Sequence, residues 1–180
     1  ELAADTREYR ASAKQDGFDF MPYDVDVTWE KVANLPRFLS LSVSSYAFTG
    51  GAHGDSGSGG LIWDRERDAR VKALDMFSSP ATLAAAMEKR YCAALDKERR
   101  TRRGEYADEP SGIESFDTCP NPTELTLLLG SSNGKAFDRL GIIADAYVAG
   151  SYAEGPYEIT LSFDKAMLAA VKVDYQPYFV

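Results

Sequence analysis

From Tyr23 the chain alternates between apolar and polar positions. Tyr23, Val25, Val27 and Trp29 fall on one side, and Asp24, Asp26, Thr28 and Glu30 on the other. A period of two carried by β-branched and aromatic residues predicts a half-buried strand. Asn34-Leu35-Pro36 interrupts it, and RFLSLSVSSYAF resumes the alternation, which predicts an antiparallel pair joined by a short turn. GLIWDRERDARVKAL then reads as a hairpin, with arms over 61–63 and 71–74 around the polar DRERDA. ELTLLL and FDRLGII form a further pair about an SSNG turn. Tyr157, Ile159, Leu161 and Phe163, alternating with Glu158, Thr160 and Ser162, predict another one-sided strand.

One segment switches period. Leu83, Met87, Tyr91 and Leu95 recur every four residues behind Ser79, which can cap free amides, and Pro80, which suits a first helical position. This predicts a long amphipathic helix. Its end carries Lys97, Arg99, Arg100, Arg102 and Arg103, read as a solvated, dipole-compensating terminus in preference to an anion site. Leu2, Thr6 and Tyr9 have loosely helical spacing over 1–15, and DKAMLAAVK predicts a short helix, while 104–122 is a polar, irregular excursion. Strands outnumber helices and are joined mostly by short turns. The expected class is α+β: a mostly antiparallel sheet covered on one face by a long helix, in a single domain over 1–180.

Composition narrows the function. The 180 residues suffice for one core, and 44% hydrophobic content argues against disorder. A net charge of -8 argues against nucleic acid and disfavours anionic membrane surfaces as partners. No apolar run approaches the roughly 20 residues of a spanning helix. The chain opens on Glu1, which suggests processing, with a signal peptide or lipid anchor expected upstream. Cys92 and Cys119 read either as one disulfide or as two buried thiols. Two cysteines and one histidine cannot make a four-ligand zinc site without carboxylates, so no metal or other cofactor is expected.

Two stretches carry candidate chemistry. SSYAFTGGAHGDSGSGG holds six of the fourteen glycines and the only histidine, His53. Gly50 and Gly51 are suited to positive φ and a sharp turn. His53 has three possible uses: pinning the loop by a hydrogen bond, touching a ligand, or acting as an acid or base with a carboxylate such as Asp55. Residues 55–59 read as a mobile hairpin tip. No phosphate-binding GxxxxGK[ST] is present, and the serines of this loop show no base-and-orienter pattern of a nucleophile. The second stretch, AYVAGSYAEGPYE, sets Tyr147, Tyr152 and Tyr157 around two glycines. Such rings suit carbohydrate or protein recognition, or else complete the core. Asp145, Glu154 and Glu158 add carboxylates, read first as strand-end charge.

YAFTGGAHG at 46–54 resembles the signature of a domain family of unknown function. That domain forms the extracellular part of lysozyme-sensing anti-sigma factors of the RsiV type. It also accompanies catalytic domains in some peptidoglycan deacetylases and occurs in bacterial lipoproteins. KALDMFSSPATLAAAMEKRY and GSYAEGPYEITLSF fit the order of its later elements, so the resemblance spans roughly residues 23–170. It implies an α+β, extracytoplasmic module of the periplasm or outer surface. The visible chain has neither a sigma-binding helix nor a deacetylase domain. The expectation is a non-catalytic module that binds or senses a cell-envelope ligand, with a peptidoglycan fragment or a lysozyme-like protein as partner. The acidic balance favours a basic protein. Binding is assigned to Gly50, Gly51, His53, Tyr152, Glu154 and Tyr157, on the premise that the two loops converge on one concave patch. The alternatives are a hydrolase of envelope glycan or peptide using His53 and a carboxylate, and a structural lipoprotein domain.

Overall fold

The structure is a computed structural model that describes residues 2–17, 19–50 and 53–180. Its principal elements are α1 (Leu2–Asp16), β1 (Asp24–Asn34), β2 (Phe38–Phe48), β3 (Asp55–Asp64), β4 (Ala69–Val71) and α2 (Pro80–Arg103). These are followed by α3 (Glu114–Asp117), β5 (Thr126–Gly130), β6 (Arg139–Ala144), β7 (Tyr157–Ser162) and α4 (Lys165–Ala169). The α+β class is as expected, but the strands divide into two sheets, ordered β1-β2-β3-β4 and β5-β6-β7. The chain forms two compact units. One comprises residues up to Thr28 with Ser44–Gly57, and the other comprises Trp29–Val43 with Ser58–Val180.

In the larger unit α2 is built as its sequence dictates. The Ser79 hydroxyl accepts from the Thr82 amide at 3.0 Å, and Pro80 takes the first turn, where an absent N–H costs nothing. Leu83, Met87, Tyr91 and Leu95 are all fully buried, and the helix packs against β7. Antiparallel β6 and β7 pair Leu140 with Leu161 and Ile142 with Ile159, so the buried positions of neighbouring strands share one face. Removing such a core side chain, for example by Leu83→Ala, costs about 3 kcal/mol. Cys92 and Cys119 form a disulfide, resolving the choice left open by their spacing.

The hairpin between β3 and β4 folds around a buried carboxylate. Asp64 is completely buried and accepts from Arg37 Nε at 2.9 Å, Arg37 Nη2 at 2.6 Å and the amides of Glu66 and Arg67. The Arg37 hydrogen bonds hold the Asp64 carboxyl below its ordinary range although burial pushes the other way. Arg37 also donates to the Tyr178 hydroxyl at 2.8 Å, which ties the C-terminal segment to the hairpin.

Two expectations are corrected. Residues 55–59 are not a mobile tip but the first half of β3. Gly60 of the same strand packs closely: a Cβ there would lie 3.0 Å from the Leu127 carbonyl oxygen and the Leu128 side chain, so a larger residue would require those neighbours to give way. The second correction concerns β1. Its alternation does mark a strand, yet Asp24 to Lys31 are exposed on both faces instead of half-buried. Period two tells which residues share a face, but not whether another layer covers that face.

Tyr91 supplies a test of the core. Its hydroxyl is buried with no hydrogen-bonding partner among the described residues, and burial pushes its ionisation up to about 12. Removing an unsatisfied buried hydroxyl should stabilise the fold. We expect Tyr91→Phe to raise the unfolding free energy by about 1 kcal/mol in urea titration, with an unchanged m-value.

Candidate functional site

His53 is exposed, and its Nδ1 lies 3.0 Å from the Gly54 carbonyl oxygen, so a protonated Nδ1 donates to its own loop. Gly50 has the positive φ foreseen for it, +99°. Gly51 lies outside the described residues. Asp55 is exposed at the start of β3. The His53 loop and the tyrosine-rich bend belong to different compact units, and the site built below draws on the larger unit alone.

That site grows from the C-terminal turns of α2. Arg99 is buried and donates through Nε to the Ala149 carbonyl at 3.0 Å and through Nη2 to the Thr118 carbonyl at 2.8 Å. Arg102 donates to the carbonyls of Glu154 and Pro156, both at 2.7 Å, and its guanidinium lies 4.2 Å from the centroid of the Tyr157 ring. Arg103 reaches the Glu154 carboxylate at 2.9 Å and the Phe116 carbonyl at 3.0 Å. The expected solvated helix end is therefore corrected. These guanidiniums satisfy carbonyls of two irregular segments that have no ladder of their own. Sequence reasoning missed them, although Arg99 and Arg103 continue the four-residue spacing of Leu83, Met87, Tyr91 and Leu95.

Glu154 sits at the centre of the bend. Its Oε1 accepts from the Ser151 amide at 2.9 Å and the Ser151 hydroxyl at 3.0 Å, while its Oε2 accepts from Arg103 and the Tyr157 hydroxyl. Burial alone would push this carboxyl up, but the hydrogen bonds from Tyr157, Ser151 and Arg103 outweigh it and bring it to about 2. Tyr157 is fully buried. Tyr157 thus completes the core, while Glu154 organises the bend and also lines the cavity described below. A Cβ on Gly150 would lie 2.8 Å from Glu154 Oε2, so this close packing requires glycine. Asp145 accepts from the Ser58 amide at 3.3 Å, and Glu158 points outward from β7.

Tyr147 and Tyr152 remain on the surface of the bend. Tyr147 is 52% exposed and has φ +67°, a left-handed conformation that is strained for a bulky residue. Two hydrogen bonds at 3.1 Å hold the turn, from the Tyr147 amide to the Gly150 carbonyl and from the Val148 amide to the Asp145 carbonyl. The Tyr147 ring lies 5.8 Å from Tyr152 and 6.5 Å from Phe116. Phe116 in turn lines an open cavity of about 500 Å³ together with Arg103, Tyr106, Ile113 and Ser151. Tyr106 and Ile113 are exposed apolar residues of the 104–122 excursion, which its polarity had concealed as part of a site.

The family model described as Deacetylase PdaC matches residues 1–56. Among solved structures, the chain is similar to a DUF3298 family protein from Pseudomonas aeruginosa PAO1. The match has 19% identity and a TM-score of 0.56, and covers 97% of this chain and 71% of that one. A DUF3298 member from Bacteroides fragilis is also 19% identical, with a TM-score of 0.58, covering 95% of this chain and 63% of its own. The fold is that of the DUF3298 proteins. The resemblance drawn from the GGAH signature is thus borne out, in both its deacetylase link and its link to a domain of unknown function. No curated protein matches the chain. No helix among the described residues is long and apolar enough to cross a membrane.

The Glu154 network makes a pH prediction. A carboxyl held near 2 in the fold and near 4.5 when unfolded stabilises the protein above the unfolded value, and that stability is lost as pH falls through the folded one. The contribution is on the order of 2 kcal/mol. Glu154→Gln should lower stability at pH 7 and flatten its decline between pH 4.5 and 2, as read by urea titration across that window.

Proposed function

We propose that the chain is a non-catalytic, extracytoplasmic recognition module that binds a peptidoglycan fragment at the cleft beside Tyr147 and Tyr152. The observation that carries this reading is the strained, exposed Tyr147. An unfavourable backbone conformation that presents an aromatic ring to solvent is more readily understood as a binding device than as a packing one. Flat rings close to a cavity of a few hundred Å³ suit the apolar faces of sugar rings, with backbone carbonyls and hydroxyls as polar contacts. Similarity to a deacetylase family model and to DUF3298 proteins supports an accessory role in the cell envelope.

A lysozyme-like protein is the second reading, favoured by the net charge of -8, since opposite charge speeds encounter with a basic partner. The hydrolase reading is weaker. Glu154, held ionised with both oxygens occupied, has no proton to give at neutral pH.

Calorimetric titration with muropeptides, with a lysozyme in a parallel arm, tests the proposal. We expect muropeptide binding that Tyr147→Ala weakens about tenfold with the melting temperature unchanged, since alanine keeps a Cβ at the same positive φ. Identical titrations for the wild type and for Tyr147→Ala and Tyr152→Ala would overturn it, and binding of lysozyme alone would favour the second reading.

A further inference from the structure

The free edge of β1 is a second surface, independent of the cleft. β1 is the first strand of its sheet, with β2 as its only neighbour among the described residues. Val25, Val27 and Trp29 lie on one face and are 50%, 54% and 52% exposed. Asp24, Asp26 and Glu30 alternate with them, also exposed, and the 19–30 stretch has four carboxylates with Asp19 and no Lys or Arg. Edge strands of monomeric proteins are ordinarily blunted by lysine, proline or a short length. This one runs for 11 residues; its single lysine, Lys31, follows the 24–30 stretch, whose charges are all acidic.

A second copy is a poor occupant, because pairing this edge with itself would bring acidic strands side by side. An extended segment that alternates apolar residues with Lys or Arg meets both faces: its apolar side chains cover Val25, Val27 and Trp29, and its cations face Asp24, Asp26 and Glu30. We propose that residues 24–30 accept such a basic, extended segment of a partner protein as an added strand. Main-chain hydrogen bonds supply the attachment, and the charge pattern selects the partner.

The probe is a synthetic peptide alternating valine and lysine, with a valine–glutamate peptide as its counterpart, read by amide hydrogen exchange. The valine–lysine peptide should slow exchange at alternate amides within 24–30, and the effect should weaken with added salt. The double substitution Asp24→Lys, Asp26→Lys, at exposed positions that leave the melting temperature unchanged, should weaken its binding about tenfold and favour the glutamate peptide instead. The proposal fails if neither peptide protects 24–30, or if both protect it equally. It also fails if protection rises with protein concentration alone, which would make the edge a contact between copies.

Discussion

The larger unit depends on a single stripe of α2 in which every fourth residue is committed to tertiary contact. Leu83, Met87, Tyr91 and Leu95 are buried in the core beside β7. Arg99 and Arg103 extend the same line, but contribute donors where the first four contribute apolar surface. The change of chemistry follows from what the stripe meets. A sheet satisfies its own backbone groups and asks only for apolar cover, whereas irregular chain leaves carbonyls that need donors from elsewhere. Guanidinium suits that role because one planar head serves several acceptors at once. Arg99 and Arg103 each bridge the bend before β7 and the 104–122 excursion, so the two segments are held by one helix end.

That arrangement makes an unfavourable turn at Tyr147 sustainable. A residue held at positive φ relaxes unless its surroundings over-determine it. Here Ser151, Tyr157 and Arg103 converge on Glu154, and Gly150 leaves room for the carboxylate to sit against the turn. The aromatic surface is therefore fixed by the fold itself, and in the proposed recognition role this would reduce the ordering cost of binding.

Much of the fold was legible in the residue pattern, for reasons that also explain what was hidden. The alternation from Tyr157 to Ser162 matches the burial of β7 residue by residue, and the Ser79-Pro80 start of α2 is realised as read. Both segments have one covered face, so pattern and burial coincide. β1 has the same alternation without a covering layer, and its burial was accordingly misjudged. The glycines of β3 resembled a loop because composition does not reveal how closely a neighbouring chain packs against a strand. Arginine's charge usually lies in solvent, yet the spacing of Arg99 and Arg103 already places them on the buried stripe. The role of Glu154 depends on partners from α2 as well as its own turn, and nothing local to the bend announced the more distant ones.

The bond between Cys92 and Cys119 closes a loop that contains most of the excursion, including Tyr106 and Ile113. One anchor lies within α2 and the other just beyond α3, so the intervening chain is fastened at both ends by covalent linkage. A protease cutting at the exposed surface of that loop would sever the backbone without parting the molecule. In a setting rich in hydrolases, such a domain would survive nicking as a single, still-assembled body.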